Sequence, residues 1–181
     1  MKSEAGKSSR VCSRYTNDFP TAALWEVLSR MQNNFFNKRL AHLLGYGGLI
    51  PFVSLCVASW CVHPDWLGSF IRGQLAYAVA IMSFLGGTHW GVALTKSLPP
   101  KQTKLALLWS VALSLIAWFA TMAGGFGFAI LMAGFIAAYQ VDKRLFAWYD
   151  MPVWFLRLRL QLTCVVVASL IATVMAANVR G

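Results

Sequence analysis

From about residue 43 onward the chain alternates between long apolar runs and short polar, basic connections. The runs cover about 43–62, 75–94, 105–139 and 160–177. Three of them come close to the ~20 residues that carry an α-helix across a bilayer. The run over 105–139 is too long for one ordinary span, and Gly124-Gly125-Phe126-Gly127 interrupts it with a flexible turn signal. Dividing it there gives spans of about 105–123 and 126–140. The pattern therefore predicts an all-α fold, a polytopic membrane bundle of five transmembrane helices.

Upstream of the runs the pattern changes. Residues 1–19 are polar, with Lys2, Lys7, Arg10 and Arg14 among several serines. This stretch has no apolar h-region, so it does not read as a secretory signal. Its Arg/Ser bias is shared with mitochondrial presequences, but Glu4 and Asp18 run against that reading, and the segment is expected to be retained. Pro20 and Thr21 look like a helix start. From there Leu24, Leu28, Met31 and Phe35 recur at helical spacing beside Arg30, Lys38 and Arg39. This predicts an amphipathic helix on the membrane surface or against a partner. The organisation is thus a polar extension over 1–40 and a five-span domain over 41–181.

Charge supports the division into five spans. The sixteen Lys and Arg fall seven in the N-terminal segment, three at Lys96, Lys101 and Lys104, and four at Lys143, Arg144, Arg157 and Arg159. Five spans bring these fourteen to one side of the membrane, leaving only Arg72 and Arg180 for the other. Basic residues concentrate on the cytoplasmic or matrix side, so the N-terminus is expected there. Trp60 and Trp66 would flank the far face, and Trp90, Trp148 and Trp154 the basic face, as interfacial anchors.

Composition narrows the class. Hydrophobic residues make up 58% and charged residues 12%, against the ~25% charged residues of a soluble domain; mean hydropathy is +0.58. A net charge of +10 would suggest nucleic acid in a soluble chain, but here the cations sit between apolar runs and no nucleic-acid module is recognisable. Cys12, Cys56, Cys61 and Cys164 form no C-x-x-C pair and no Cys/His cluster. Walker, dinucleotide-binding, H-E-x-x-H and G-x-S-x-G motifs are missing. No catalytic, cofactor-binding or metal-ligating residue is assigned.

Several residues still invite a role. Ala76, Ala80, Ser83, Gly87 and Gly91 form a stripe of small residues along the second span, which predicts close helix packing. His89 lies about 200° around the helix from Gly87. An intramembrane His is a functional candidate, though next to Trp90 it could simply bond a carbonyl or a headgroup. Asp142 could pair with an arginine and pin the loop that follows the fourth span. Arg144, Arg157, Arg159 and Trp154 are candidates for binding anionic phospholipid, cardiolipin included.

The segments Leu44–Phe52 (LGYGGLIPF), Ser83–Gly91 (SFLGGTHWG) and Pro152-Val153-Trp154-Phe155, the last with Leu158-Arg159 and Leu162-Thr163, together resemble the transmembrane protein 69 family. This is a family of unknown function found in bacteria and mitochondria. The likeness covers about residues 41–176. Asp142 falls where the family carries an acidic residue, and Phe155 stands where a Tyr is expected. The resemblance implies a compact multi-span inner-membrane protein and supplies no activity. The leading expectation is a non-catalytic accessory subunit of a mitochondrial inner-membrane oxidative-phosphorylation complex, with other membrane subunits and phospholipids as partners and no cofactor. A stand-alone carrier or assembly factor with a polar site of His89, Thr88 and Tyr139 is the alternative. A haem-binding or redox protein using His89 ranks third.

Overall fold

The computed structural model describes residues 38–95, 99–148 and 153–180, and gives side chains within these except at 146–148. The predicted amphipathic helix up to residue 37 and the side chain of Trp148 lie outside the described residues. The chain divides into two compact units, Met1–Leu43 and Leu44–Gly181. Of the first, residues 38–43 are helical, and the His42 ring bonds the Lys38 carbonyl at 2.8 Å.

In the second unit, the described residues are almost entirely helical. α1 covers Ile50–Cys61, α2 Pro64–Thr95, α3 Pro100–Met122, α4 Gly127–Trp148 and α5 Val153–Arg180. Five helices are long and apolar enough to cross a membrane, the first counted from Lys38 to Cys61. Two of them outrun their apolar cores. α2 starts at Pro64, and α5 starts at Val153, because a helix does not stop where hydrocarbon stops. Asp65 stands in the first turn of α2 and Arg157 in the second turn of α5, both outside the apolar runs.

Local chemistry sets the ends. Pro51, Pro64 and Pro100 each stand in a first helical turn, where the missing N–H is not needed. The Pro99 carbonyl accepts from Gln102 and Thr103 to open α3. The turn signal of the sequence becomes a single 3₁₀ turn, Gly124–Phe126, with Gly124 at φ +55°, a left-handed conformation natural only to glycine.

α2 packs against all four other helices and is the axis of the bundle. The mid-membrane core is Ala78 and Met82 of α2, Leu113 and Ala117 of α3, Leu131 and Phe135 of α4, Leu170 of α5, and Phe52 of α1. The Phe52 ring meets Tyr77 at 5.0 Å and Phe135 at 6.4 Å, both edge-on.

The structure turns the predicted packing stripe outward. Ala76, Ala80, Gly87 and Gly91 are exposed, Ser83 is half-buried, and the space above Gly87 and Gly91 is open. The buried face of α2 is Gln74, Ala78, Met82, Leu85, Gly86, His89 and Ala93. At 3.6 residues per turn the two faces lie about 160° apart. Both offer small residues, but only one carries Gln74 and His89, which lipid cannot hydrate. Polarity chose the face. The close contact expected of Gly87 falls on its neighbour: a Cβ on Gly86 would stand 2.4 Å from the Ser110 carbonyl oxygen of α3. Gly127 makes the equivalent approach to Ala120.

Candidate functional site

Three helices bring one ionisable group each to a common point. His89 lies six residues before the end of α2, Asp142 six before the end of α4, and Arg159 six after the start of α5. At 1.5 Å per residue each sits about 9 Å inside its helix end, on the side where the basic loops gather. His89 is 2% exposed, Asp142 0% and Arg159 9%. His89 Nε2 lies 2.7 Å from Asp142 Oδ1. Arg159 donates from Nε to Asp142 Oδ2 at 2.9 Å, and its Nη2 donates to the same oxygen.

The arrangement fixes the protonation pattern of the contact. Arginine is always charged, and a carboxylate that receives bonds on both oxygens is an acceptor only. Nε2 of His89 therefore carries a hydrogen and donates it. The result is a guanidinium–carboxylate pair with an imidazole on the free edge, the charge-assisted kind of hydrogen bond. It ties α2, α4 and α5 together at one end of the bundle. Ala93, Ala106 and Leu145 pack together close to this end.

This corrects the placement expected of His89 and of Asp142. His89 does not reach outward to a headgroup; its Nε2 is directed to a carboxylate inside the bundle. Asp142 does take an arginine partner, but the pair lies between helices, not in the loop it was expected to pin. Of the lipid-binding candidates, Arg159 is buried and engages Asp142 through Nε and Nη2, Arg144 and Arg157 are exposed, and Trp154 is half-buried against Phe155, ring centroids 5.7 Å apart. Thr88 is exposed and bonds the Leu85 carbonyl of its own helix. Tyr139 carries the Lys143 ammonium over its ring at 5.2 Å. Neither completes a polar pocket with His89.

A second polar pair was not anticipated. Thr173 Oγ1 donates to Gln74 Oε1 at 2.6 Å, and both residues are fully buried. Gln74 Nε2 has no partner among the described residues. At the far end, Arg180 reaches the Ser59 and Val62 carbonyls, each at 2.6 Å, and so caps the last turn of α1. Gln74 could have been found: it shares a helix face with His89, and two polar residues on one face mark that face as inward.

Beside the ion cluster runs a crevice of about 130 Å³ between the segment entering α1 and helices α2 and α5, with Phe135 of α4 among its walls. Gly45 and Gly48 open its outer edge, apolar side chains form most of its walls, and Arg159 and Thr163 are its polar members. Among the described residues, no three His, Cys, Asp or Glu side chains come together as a metal site.

Residues 37–175 match the family described as Protein of unknown function (DUF3429). The chain is similar to transmembrane protein 69 of Xenopus tropicalis, 34% identical over 142 residues, covering 75% of this chain and 54% of that protein. It is also similar to transmembrane protein 69 of Mus musculus, 28% identical over 133 residues, 73% of this chain and 54% of that protein. The chain thus spans about half the length of the curated relatives it matches. No solved structure matches it. With the matched segment covering all five membrane helices, the chain belongs to the DUF3429 family of integral membrane proteins, alongside transmembrane protein 69.

Proposed function

We propose that this chain is a non-catalytic accessory subunit of a mitochondrial inner-membrane oxidative-phosphorylation complex, a respiratory complex or the ATP synthase, to which it contributes a rigid bundle and lipid contacts. The supporting observation is the outward small-residue face of α2. In lipid, apolar side chains alone give helices no drive to associate, whereas small residues let backbones approach closely. Ala76, Ala80, Gly87 and Gly91 offer such a face, and nothing among the described residues covers Gly87 or Gly91. In this reading a helix of another subunit docks there, and the basic end of the bundle faces the matrix. Blue-native electrophoresis of mitochondria followed by mass spectrometry tests it. The chain is expected to migrate with a large complex, and Gly87→Leu with Gly91→Leu to release it as a folded monomer. A wild-type chain that migrates alone in mild detergent overturns the reading.

The alternative, a stand-alone carrier or assembly factor, draws support from the ion cluster lying alongside a crevice. A solute flux in proteoliposomes that disappears in His89→Ala would favour it over the subunit.

A further inference from the structure

The crevice and the ion cluster meet at Arg159, and this junction has the chemistry of a lipid site. The guanidinium uses Nε and Nη2 on Asp142. Nη1 has no protein acceptor among the described residues, and Arg159 forms part of the crevice wall. One turn further along α5, Thr163 lines the same crevice with 9% exposure, and its hydroxyl likewise has no protein partner among the described residues. Two polar groups, each about nine-tenths buried, thus stand at one end of an otherwise apolar slot.

Its length and direction fit an acyl chain. From Arg159 to Val166 the slot follows α5 for seven residues, about 10 Å toward the membrane centre. Its volume of about 130 Å³ is close to that of a ~150 Å³ apolar cavity known to take a benzene-sized guest. It therefore seats one stretch of a chain and not a whole lipid. Its polar end lies about 9 Å inside the helix ends, toward the end of the bundle and not its middle. The exposed cations Lys143, Arg144 and Arg157 stand at the same end of α4 and α5, so the field there favours a negative headgroup.

We propose that the crevice binds one anionic phospholipid, with an acyl chain beside Phe52 and Val166 and its phosphate on Arg159 Nη1 and Thr163. The site does not rest on membership in a larger complex, because every residue it uses belongs to this chain.

The purified full chain, reconstituted in nanodiscs of equal phosphatidylglycerol and phosphatidylcholine and then released for native mass spectrometry, tests the proposal. The expected result is one retained phosphatidylglycerol per chain, favoured about tenfold or more over phosphatidylcholine, the scale of one charge-assisted hydrogen bond. Thr163→Val is expected to weaken retention. Gly48→Leu should abolish it by filling the slot; a Cβ there meets nothing closer than 3.4 Å, so the fold should tolerate it. Because Arg159→Gln alone strands a buried carboxylate, the charge is tested with Asp142→Asn and Arg159→Gln together, which should erase the preference for phosphatidylglycerol. Equal retention of both lipids, retention unchanged in Gly48→Leu, or a free fatty acid found in place of phospholipid would each overturn it. A monomer that keeps its lipid supports the site even if the subunit reading fails.

Discussion

Removing the Asp142 carboxylate leaves Arg159 buried with no counter-charge, and stranding one member is the costly way to break an ion pair. Asp142→Ala is therefore expected to destabilise the bundle by about 3–5 kcal/mol, read as a loss of thermal stability in detergent. Asp142→Asn combined with Arg159→Gln removes both charges together and should recover most of that loss. If the double variant proves as unstable as the single, the pair is not the source of the cost. Little of this cluster was legible in the sequence. His89 drew notice as an intramembrane histidine, and Asp142 as an acid after the fourth span that could pair with an arginine, but nothing joined the two. That they meet depends on three helices sharing a register, which no spacing along one chain segment encodes. Arg159 was hidden in a different way: in the primary structure it looks like Arg157, a cation just before an apolar run. Two residues along a helix turn a side chain by about 200°, and that rotation separates a headgroup cation from a buried one.

The helices themselves were far easier to read. Long apolar runs, prolines at starts and one glycine turn carry their own physics, so the number of spans followed from pattern and charge. Helix faces did not follow so easily. α2 has small residues on two sides, and counting them selects the wrong one. Gln74 and His89 decide the matter, because the side holding polar groups must turn away from lipid. Adjacent glycines expose the difference in a measurable way. Gly86→Ala places a carbon 2.4 Å from a backbone oxygen of α3 and must push the helices apart; overpacking of this kind costs about 1–3 kcal/mol. Gly87→Ala meets open space and should leave the stability of the isolated chain within about 0.5 kcal/mol. Thermal unfolding of the two variants in the same detergent compares them directly. Equal losses would mean that α2 is rotated relative to the face described above.

Taken as a whole, the bundle is electrically polarised. Among the described cations of the second unit, Lys101, Lys104, Lys143, Arg144, Arg157 and Arg159 lie at one end of the helices, with Arg72 and Arg180 toward the other. This predicts an orientation. Cys61 ends α1 on the cation-poor side and is exposed. With Cys12, Cys56 and Cys164 replaced by Ser, and on the mitochondrial location proposed above, a membrane-impermeant maleimide should label Cys61 in intact mitoplasts without detergent. Labelling only after the membrane is opened would reverse the topology.

α5 makes contacts that no earlier helix can supply. Arg159 neutralises Asp142, Thr173 engages Gln74, and Arg180 caps α1. A ribosome delivers this helix after the other four, so for an interval the membrane holds a bundle whose Asp142 has its histidine but no counter-charge, whose Gln74 lacks its hydroxyl partner and whose first span lacks its cap. Completion is therefore chemically distinguishable from incompletion. A chain stopped before Val153 would hold an ionised carboxylate at membrane depth with only an imidazole beside it, so the last helix neutralises the bundle as well as closing it.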